Sequence, residues 1–151
     1  MKRKQIMDKL ITLMKIVFST NYVYYTNSHG FHVNVTGPDF YEYHKLLQKV
    51  YEDAQENIDA IAEEIRTLQG IVPFNLARIT SMSRIKDVDT VPKGLEMMQI
   101  LLDDTETLCE AIRLAREEAV SQEAFGLVNY LEQRLDDHYK FQWMLRSTLE
   151  K

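Results

Sequence analysis

The stretch PDFYEYHKLLQKVYEDAQENIDAIAEEIRTL, residues 38–68, decides the fold of this chain. Its apolar residues recur every three or four positions, which is the period of a helix with one buried face. These residues are Leu47, Val50, Tyr51, Ala54, Ile58, Ile61, Ala62, Ile65 and Leu68. Gly37 breaks the chain just before the stretch, and Pro38 pre-sets the first helical turn. We therefore predict a helix from about Pro38 to Leu68.

Three further helical stretches accompany this one. The first covers about residues 3–33, and the other two cover about residues 95–120 and 123–149, separated by a tight turn at Ser121 and Gln122. Their apolar residues again recur at helical spacing. The core candidates are Ile6, Leu10, Leu13, Val17 and Phe18 in the first helix and Met98, Leu101, Leu102, Leu108 and Ile112 in the third.

A connector with two prolines, residues 69–94, joins the second long helix to the third. Its segment LARITSMS, residues 76–83, is long enough for a short helix. Two long helices, a spacer and two more long helices are the order of a four-helix bundle. We therefore predict an all-α four-helix bundle with a short helix in the connector, forming a single domain over residues 1–151.

The amino-acid composition limits the classes of protein to which this chain can belong. Of 151 residues, 45% are hydrophobic and 27% are charged, which is typical of a globular domain with its own core. Cys109 is the only cysteine, which excludes an intramolecular disulfide and a cysteine-based zinc site. Lys9 and Lys15 interrupt the apolar N-terminal stretch, and no run approaches the roughly 20 apolar residues of a membrane span. We therefore expect a cytoplasmic protein with no membrane partner.

Residue types that ligate metals gather around the second helix. His44, Asp59 and Glu63 lie on it, and His32 lies at the end of the first helix. Asp59 and Glu63 are four residues apart, so they share one helix face. His44 and Asp59 differ by about 60° around the helix axis, but the helical rise separates them by roughly 22 Å. Since metal–ligand bonds are about 2 Å long, one copy of the helix cannot bring both to one ion.

An antiparallel pair of second helices would solve this problem. If two copies cross at a two-fold axis near residues 51–53, His44 of one copy meets Asp59 and Glu63 of the other. Such an isologous contact creates two identical intersubunit sites. Mixed imidazole and carboxylate ligands favour iron, manganese or zinc over calcium or magnesium. On spacing alone, however, a solvated helix face with incidental histidines is the more common explanation.

Two motifs tie the chain to a known family. HVNVTGPDFYEYH, residues 32–44, followed by DAIAEEI, residues 59–65, resembles the signature of Dps-type mini-ferritins. That signature is a histidine, an N-V-x-G-P-x-F stretch, a second histidine twelve residues after the first, and then D-x-x-A-E-R-I. The segment HYKFQWMLRSTLE, residues 138–150, resembles the family's HEK-x-x-WMLR ending of the last helix. By this resemblance the chain is identified as a member of the DNA-protection-during-starvation family of ferritin-like proteins.

The resemblance implies a hollow dodecameric shell that oxidises ferrous iron, usually with hydrogen peroxide, and keeps the ferric mineral inside. It implies a ferroxidase whose catalytic and metal-binding residues are His32 and His44 of one subunit with Asp59 and Glu63 of its partner. The expected cofactor is iron, two ions per intersubunit site, with hydrogen peroxide or oxygen as the oxidant and protection from oxidative stress as the role. Larger ferritins hold iron inside one bundle through Glu-x-x-His pairs, and this sequence contains none.

The chain departs from the family pattern beside the predicted site. Gln48 stands one turn beyond His44, where the family usually has an acid. We include Gln48 as a further metal ligand, and because an amide is a neutral and weaker ligand we expect the second iron to bind less tightly. Val33 replaces the tryptophan that commonly follows the first histidine. We treat His29 and His138 as structural and expect Trp143 to be a packed anchor of the last helix.

Two other functions compete with iron oxidation. Some family members compact DNA through basic tails, but here only Lys2, Arg3 and Lys4 form a basic cluster at the N-terminus, and the net charge is −5. Twelve copies would carry about −60 and repel DNA at physiological salt. The other alternative is a related shell whose metal site is degenerate and binds metal weakly.

Overall fold

The computed structural model describes residues 2–151, with side chains from Met7 onward. This part of the chain is all-helical. It contains α1 (Lys2–Asn34), α2 (Phe40–Thr67), the short α3 (Leu76–Met82), α4 (Gly94–Ser121) and α5 (Phe125–Leu149). The predicted four-helix bundle with a short helix in the connector is therefore confirmed.

One hydrophobic core runs along the bundle. The helix α1 packs against α2, α3 and α4, and α4 packs against α5. All but five of the predicted core residues with described side chains are buried. The five exceptions are partly buried: Leu13, Ile58, Ala62 and Leu102 pack against the core, and the fifth is Tyr51. Ile6 lies outside the residues whose side chains are described. Cys109 is fully buried as expected, but Trp143 is 62% exposed, so its prediction as a packed anchor is wrong for the single chain.

Two of the long helices, α2 and α4, end with the same hydrogen-bond pattern. After α2, the Gln69 amide donates to the Arg66 carbonyl and the Gly70 amide donates to the Ile65 carbonyl. After α4, the Glu123 amide donates to the Val120 carbonyl, and the next amide donates to the carbonyl of residue 119. These are Schellman caps, in which Gln69 and Glu123 adopt left-handed φ angles of 67° and 59°.

This cap corrects the predicted start of the last helix. We predicted that the helix starts at Glu123, but Glu123 terminates α4 with its left-handed backbone, and α5 begins at Phe125. The predicted start of α2 at Pro38 is also early, because residues 37–40 form a turn in which the Phe40 amide donates to the Gly37 carbonyl. Gly37 has a φ of +115°, which glycine adopts without strain.

The connector is fastened to α1 by buried polar side chains. The Asn27 amide donates to the Lys86 carbonyl at 3.0 Å and accepts from the Val88 amide at 3.0 Å. The Thr20 hydroxyl accepts from the Arg84 amide at 3.0 Å. These bonds satisfy backbone groups that have no helix or sheet partner, so the connector has a fixed path.

No helix in the part of the chain that is described has the length and apolar character needed to cross a membrane.

Candidate metal centre

His32 and His44 form a reciprocal pair where α1 reverses into α2. His32 Nδ1 donates to the His44 carbonyl at 2.8 Å, and His44 Nδ1 donates to the His32 carbonyl at 2.8 Å. The rings stack with their centroids 3.8 Å apart and 15° between their planes. Because a carbonyl can only accept, the proton of each neutral ring lies on Nδ1 and the lone pair lies on Nε2. Both rings are thus held in the tautomer that binds a metal through Nε2.

The surroundings of His32 favour its neutral form. His32 is only 8% exposed, and this burial is the main reason that its pKa is lowered from the ordinary value for histidine. The ring of Phe40 stacks on the ring of His44 with centroids 4.9 Å apart. Tyr51 presents its ring to His32 at a centroid distance of 4.8 Å. The two imidazoles are therefore fixed in place by aromatic packing as well as by hydrogen bonds.

Asp59 and Glu63 form a second group on the exposed face of α2. The pKa of Glu63 is raised, first by a side-chain hydrogen bond with Asp59 and then by repulsion from the Asp59 charge. The two carboxyl groups, one helical turn apart, therefore repel each other when both are ionised. A bound cation would relieve this repulsion.

The two groups do not meet within one chain. His44 and Asp59, which represent the two groups on α2, are separated by about 22 Å along the helix axis. In the described part of a single chain, no three or more histidine, cysteine, aspartate or glutamate side chains converge to hold a metal ion. The structure thus brings His32 to His44 and Asp59 to Glu63, and leaves these two pairs apart.

The bundle interior carries a fixed positive charge. The buried guanidinium of Arg134 lies there, bonded to Asp53 of α2 and to Asp137 and His138 of its own helix. Burial, together with the Arg134 charge, lowers the pKa of His138 well below the ordinary histidine value. A fixed positive charge in the core repels a metal ion. His138 is therefore a buried structural residue, as expected from the sequence.

Gln48 lies one helical turn beyond His44 on α2. Its Nε2 donates to Glu52 Oε1 at 2.8 Å, so its Oε1 is the atom left to approach a metal.

His29 was treated as structural on the sequence, yet its side chain is exposed and its ring lies nearly parallel to that of His32, at 17° and 6.4 Å between centroids. The signal in the sequence was the spacing of three residues between His29 and His32, which places both on neighbouring positions of one helix.

Comparisons with known proteins now give the class of the molecule. The model of the ferritin-like domain family matches residues 13–151. The chain therefore belongs to the ferritin-like family. Within it, the chain is 29% identical over 131 residues to the DNA protection during starvation protein of Brevibacillus brevis, covering 85% of this chain and 86% of that protein.

Solved structures agree with this relationship. The crystal structure of a Dps protein from Bacillus brevis matches with a TM-score of 0.92 and 26% identity, covering 97% of this chain and 98% of that one. The Dps protein of Vibrio cholerae O1 matches with a TM-score of 0.92 and 27% identity, covering 97% and 92% of the two chains. It is described as a member of a broad superfamily of ferritin-like diiron-carboxylate proteins. The predicted resemblance to Dps-type mini-ferritins is confirmed.

Proposed function

We propose that this chain is a mini-ferritin that binds ferrous iron at intersubunit sites, oxidises it and sequesters the ferric product. The observation that carries the proposal is the division of the ligands into two complementary half-sites. One half-site is a pair of imidazoles whose Nδ1 atoms are bonded to carbonyl groups, which leaves the Nε2 atoms free. The other is a pair of carboxyl groups one helical turn apart on α2, where the pKa of Glu63 is raised by its hydrogen bond with Asp59 and by repulsion from the Asp59 charge. Neither half has enough ligands to hold an ion alone, and each has what the other lacks.

A two-fold axis across α2 would join the halves. In an antiparallel pair, His32 and His44 of one subunit face Asp59 and Glu63 of the partner subunit, and the reverse contact forms a second identical site. We propose that twelve such chains, each folded as one domain, form a closed shell in the cytoplasm, as the relationship to Dps proteins suggests.

Iron is the substrate of this chemistry. Two ferrous ions each give one electron to hydrogen peroxide, which takes up two protons, and the products are two ferric ions and two water molecules. Holding both ions in one site lets the oxidant take both electrons together, which avoids release of hydroxyl radical. The carboxylates stabilise the more highly charged ferric product, and the imidazoles hold the ferrous substrate without adding charge. Oxygen is the alternative oxidant.

The related proteins support an iron-dependent protective role. The Brevibacillus brevis relative is named for protection of DNA during starvation, and the Vibrio cholerae protein is described among the diiron-carboxylate proteins. Direct DNA binding is not part of the proposal, because the net charge of −5 opposes contact with phosphates. Protection would come from removal of ferrous iron and peroxide.

Substitution of one residue from each half-site tests the proposal. We expect His32→Ala and Asp59→Ala each to slow ferrous oxidation by at least about tenfold, because loss of a group at a metal site has effects of this size or larger. Asp136→Ala is the matched control, since this exposed carboxylate on α5 pairs only with Lys140 in the described contacts. Oxidation is followed by absorbance of the ferric product, with helicity and particle mass checked for each variant. Wild-type rates in both site variants would contradict the proposal, and a wild-type protein that binds no ferrous iron would favour the degenerate shell.

A further inference from the structure

His29 is an ordered imidazole that the proposed site does not use. Its side chain is exposed, yet its ring is enclosed between two others, stacking on Tyr25 at 5.7 Å and 9° and lying parallel to His32 on the other side. The ring also meets Tyr51 at a centroid distance of 4.8 Å. Within the described part of the chain, neither ring nitrogen of His29 makes a hydrogen bond. The ring is thus held in place while both of its nitrogens stay available.

The register of α1 against α2 places His29 near the level of Gln48 along the two helices. His32 pairs with His44, and further along the two helices the rings of Tyr25 and Tyr51 lie 6.4 Å apart. The helices α1 and α2 run antiparallel. A residue of α1 between Tyr25 and His32 therefore lies at the same height along the bundle as a residue of α2 between Tyr51 and His44. His29 is therefore level with residues 47 and 48, and Gln48 is the one of these that is not buried in the core.

Gln48 is oriented to take part in a metal site at this level. It lies one turn from His44, displaced by about 40° around the axis of α2, so the two side chains leave the helix on the same side. Glu52 holds its amide nitrogen, which leaves the amide oxygen as the ligand atom. An amide oxygen alone binds a divalent transition metal weakly, whereas an imidazole nitrogen is a strong neutral ligand for such ions.

We propose that His29 is a further metal ligand, which with Gln48 Oε1 forms the second metal position, one helical turn from the His32–His44 pair. This inference rests on the proposed function, because the remaining ligands come from the carboxylates of the partner subunit. The ions that fit are divalent cations of intermediate softness, such as Fe²⁺, Co²⁺ and Zn²⁺. The family pattern has an acid at position 48, where this chain has Gln48. A third imidazole supplies the ligand that this acid would otherwise provide, so the site keeps two metal positions with less negative charge.

Cobalt(II) alone is the probe for this inference, because it is stable to air and its visible absorption reports its ligands. Calorimetry and absorption titration of the full assembly compare the wild type with His29→Phe, which keeps an aromatic ring but removes the ligand nitrogens. Tyr25→Phe is the matched control, since it keeps the stacked ring next to His29. We expect two cobalt ions per site in the wild type and the control. In His29→Phe the first binding event should be unchanged and the second should weaken by at least about tenfold.

Two results would overturn the inference, and they separate it from the proposed function. If His29→Phe binds the second cobalt ion with unchanged affinity and absorption, His29 is a packing residue and only this inference fails. If the wild type binds no cobalt at all, the proposed intersubunit site fails and this inference fails with it. His29→Leu serves as a second variant in case His29→Phe does not assemble, with the same expected loss of the second event.

Discussion

The buried ion pair that joins α5 to α2 allows the sharpest test of the fold. The Arg134 side chain is 3% exposed and the Asp53 side chain is 22% exposed. Both terminal nitrogens of the guanidinium are engaged, with Nη1 of Arg134 at 3.1 Å from Asp53 Oδ1 and Nη2 bonded to the other oxygen. The Arg134 guanidinium also donates to His138 Nε2 at 3.1 Å. Arg134 therefore satisfies polar groups on two helices at once.

Replacing Arg134 by methionine keeps much of the volume but removes the charge. The Asp53 carboxylate and the Nε2 atom of His138 would then have no donor in a region of low solvent access. Breaking a buried pair in this way costs about 3–5 kcal/mol. Because Asp53 keeps contact with water on one side, we expect Arg134→Met to lower the free energy of unfolding by about 3 kcal/mol, the lower end of that range. Adding Asp53→Leu removes the orphaned charge, so the double variant should recover at least about 1 kcal/mol.

Guanidinium chloride unfolding followed by circular dichroism measures these differences. All variants are compared at one protein concentration, with the particle mass determined, because assembly contributes to the apparent stability. A loss of less than about 1 kcal/mol in Arg134→Met would refute the importance of the pair. A double variant as unstable as the sum of the two single variants would refute the explanation by an orphaned charge.

Three further predictions concern single positions. Burial raises the pKa of Asp104 to about 6. Between pH of about 4 and 6 the folded state therefore binds a proton that the unfolded state has released, so the stability of the wild type should fall as pH rises through this range. Asp104→Asn should be about 1 kcal/mol more stable than the wild type at pH 7 but not at pH 4, whereas Asp103→Asn, at the exposed neighbouring position, should show no such difference. Gln69→Gly should raise the free energy of unfolding by about 0.5–1 kcal/mol, since glycine adopts the left-handed φ at this cap without strain; a lower denaturation midpoint would contradict this. Gln48→Glu should strengthen the second ferrous binding event in anaerobic calorimetry, and an unchanged titration would mean that Gln48 points away from the metal.

The helices were predictable because their signal is periodic and local. The apolar stripe of α2 and the break at Gly37 are enough to specify a helix and the reversal before it. The ends were less predictable, because Gln69 and Glu123 cap their helices with a left-handed backbone that glycine ordinarily provides. Nothing in their residue types signals this conformation, which is set by the hydrogen bonds of the cap.

The choice of candidate ligands followed from residue type and spacing, but the surroundings of these residues could not be predicted. The positions of His32 and His44 followed from a motif, whereas the reciprocal hydrogen bonds that fix their tautomers depend on how α1 packs against α2. The same packing brings His29 to the site. Arg134 reads as a surface residue because arginine is seldom buried, and only its contact with Asp53 across the bundle explains its burial.

The central claim is that each metal site takes its histidines from one subunit and its carboxylates from another. Mixing two inactive variants tests this directly, one with His32→Ala and His44→Ala, the other with Asp59→Ala and Glu63→Ala. After co-assembly from denatured chains, about a quarter of the intersubunit sites should combine an intact histidine pair with an intact carboxylate pair. We predict that the mixture recovers about a quarter of the wild-type rate of ferrous oxidation, whereas each variant assembled alone stays inactive. A mixed assembly of confirmed composition that shows no more activity than its parents would contradict the claim.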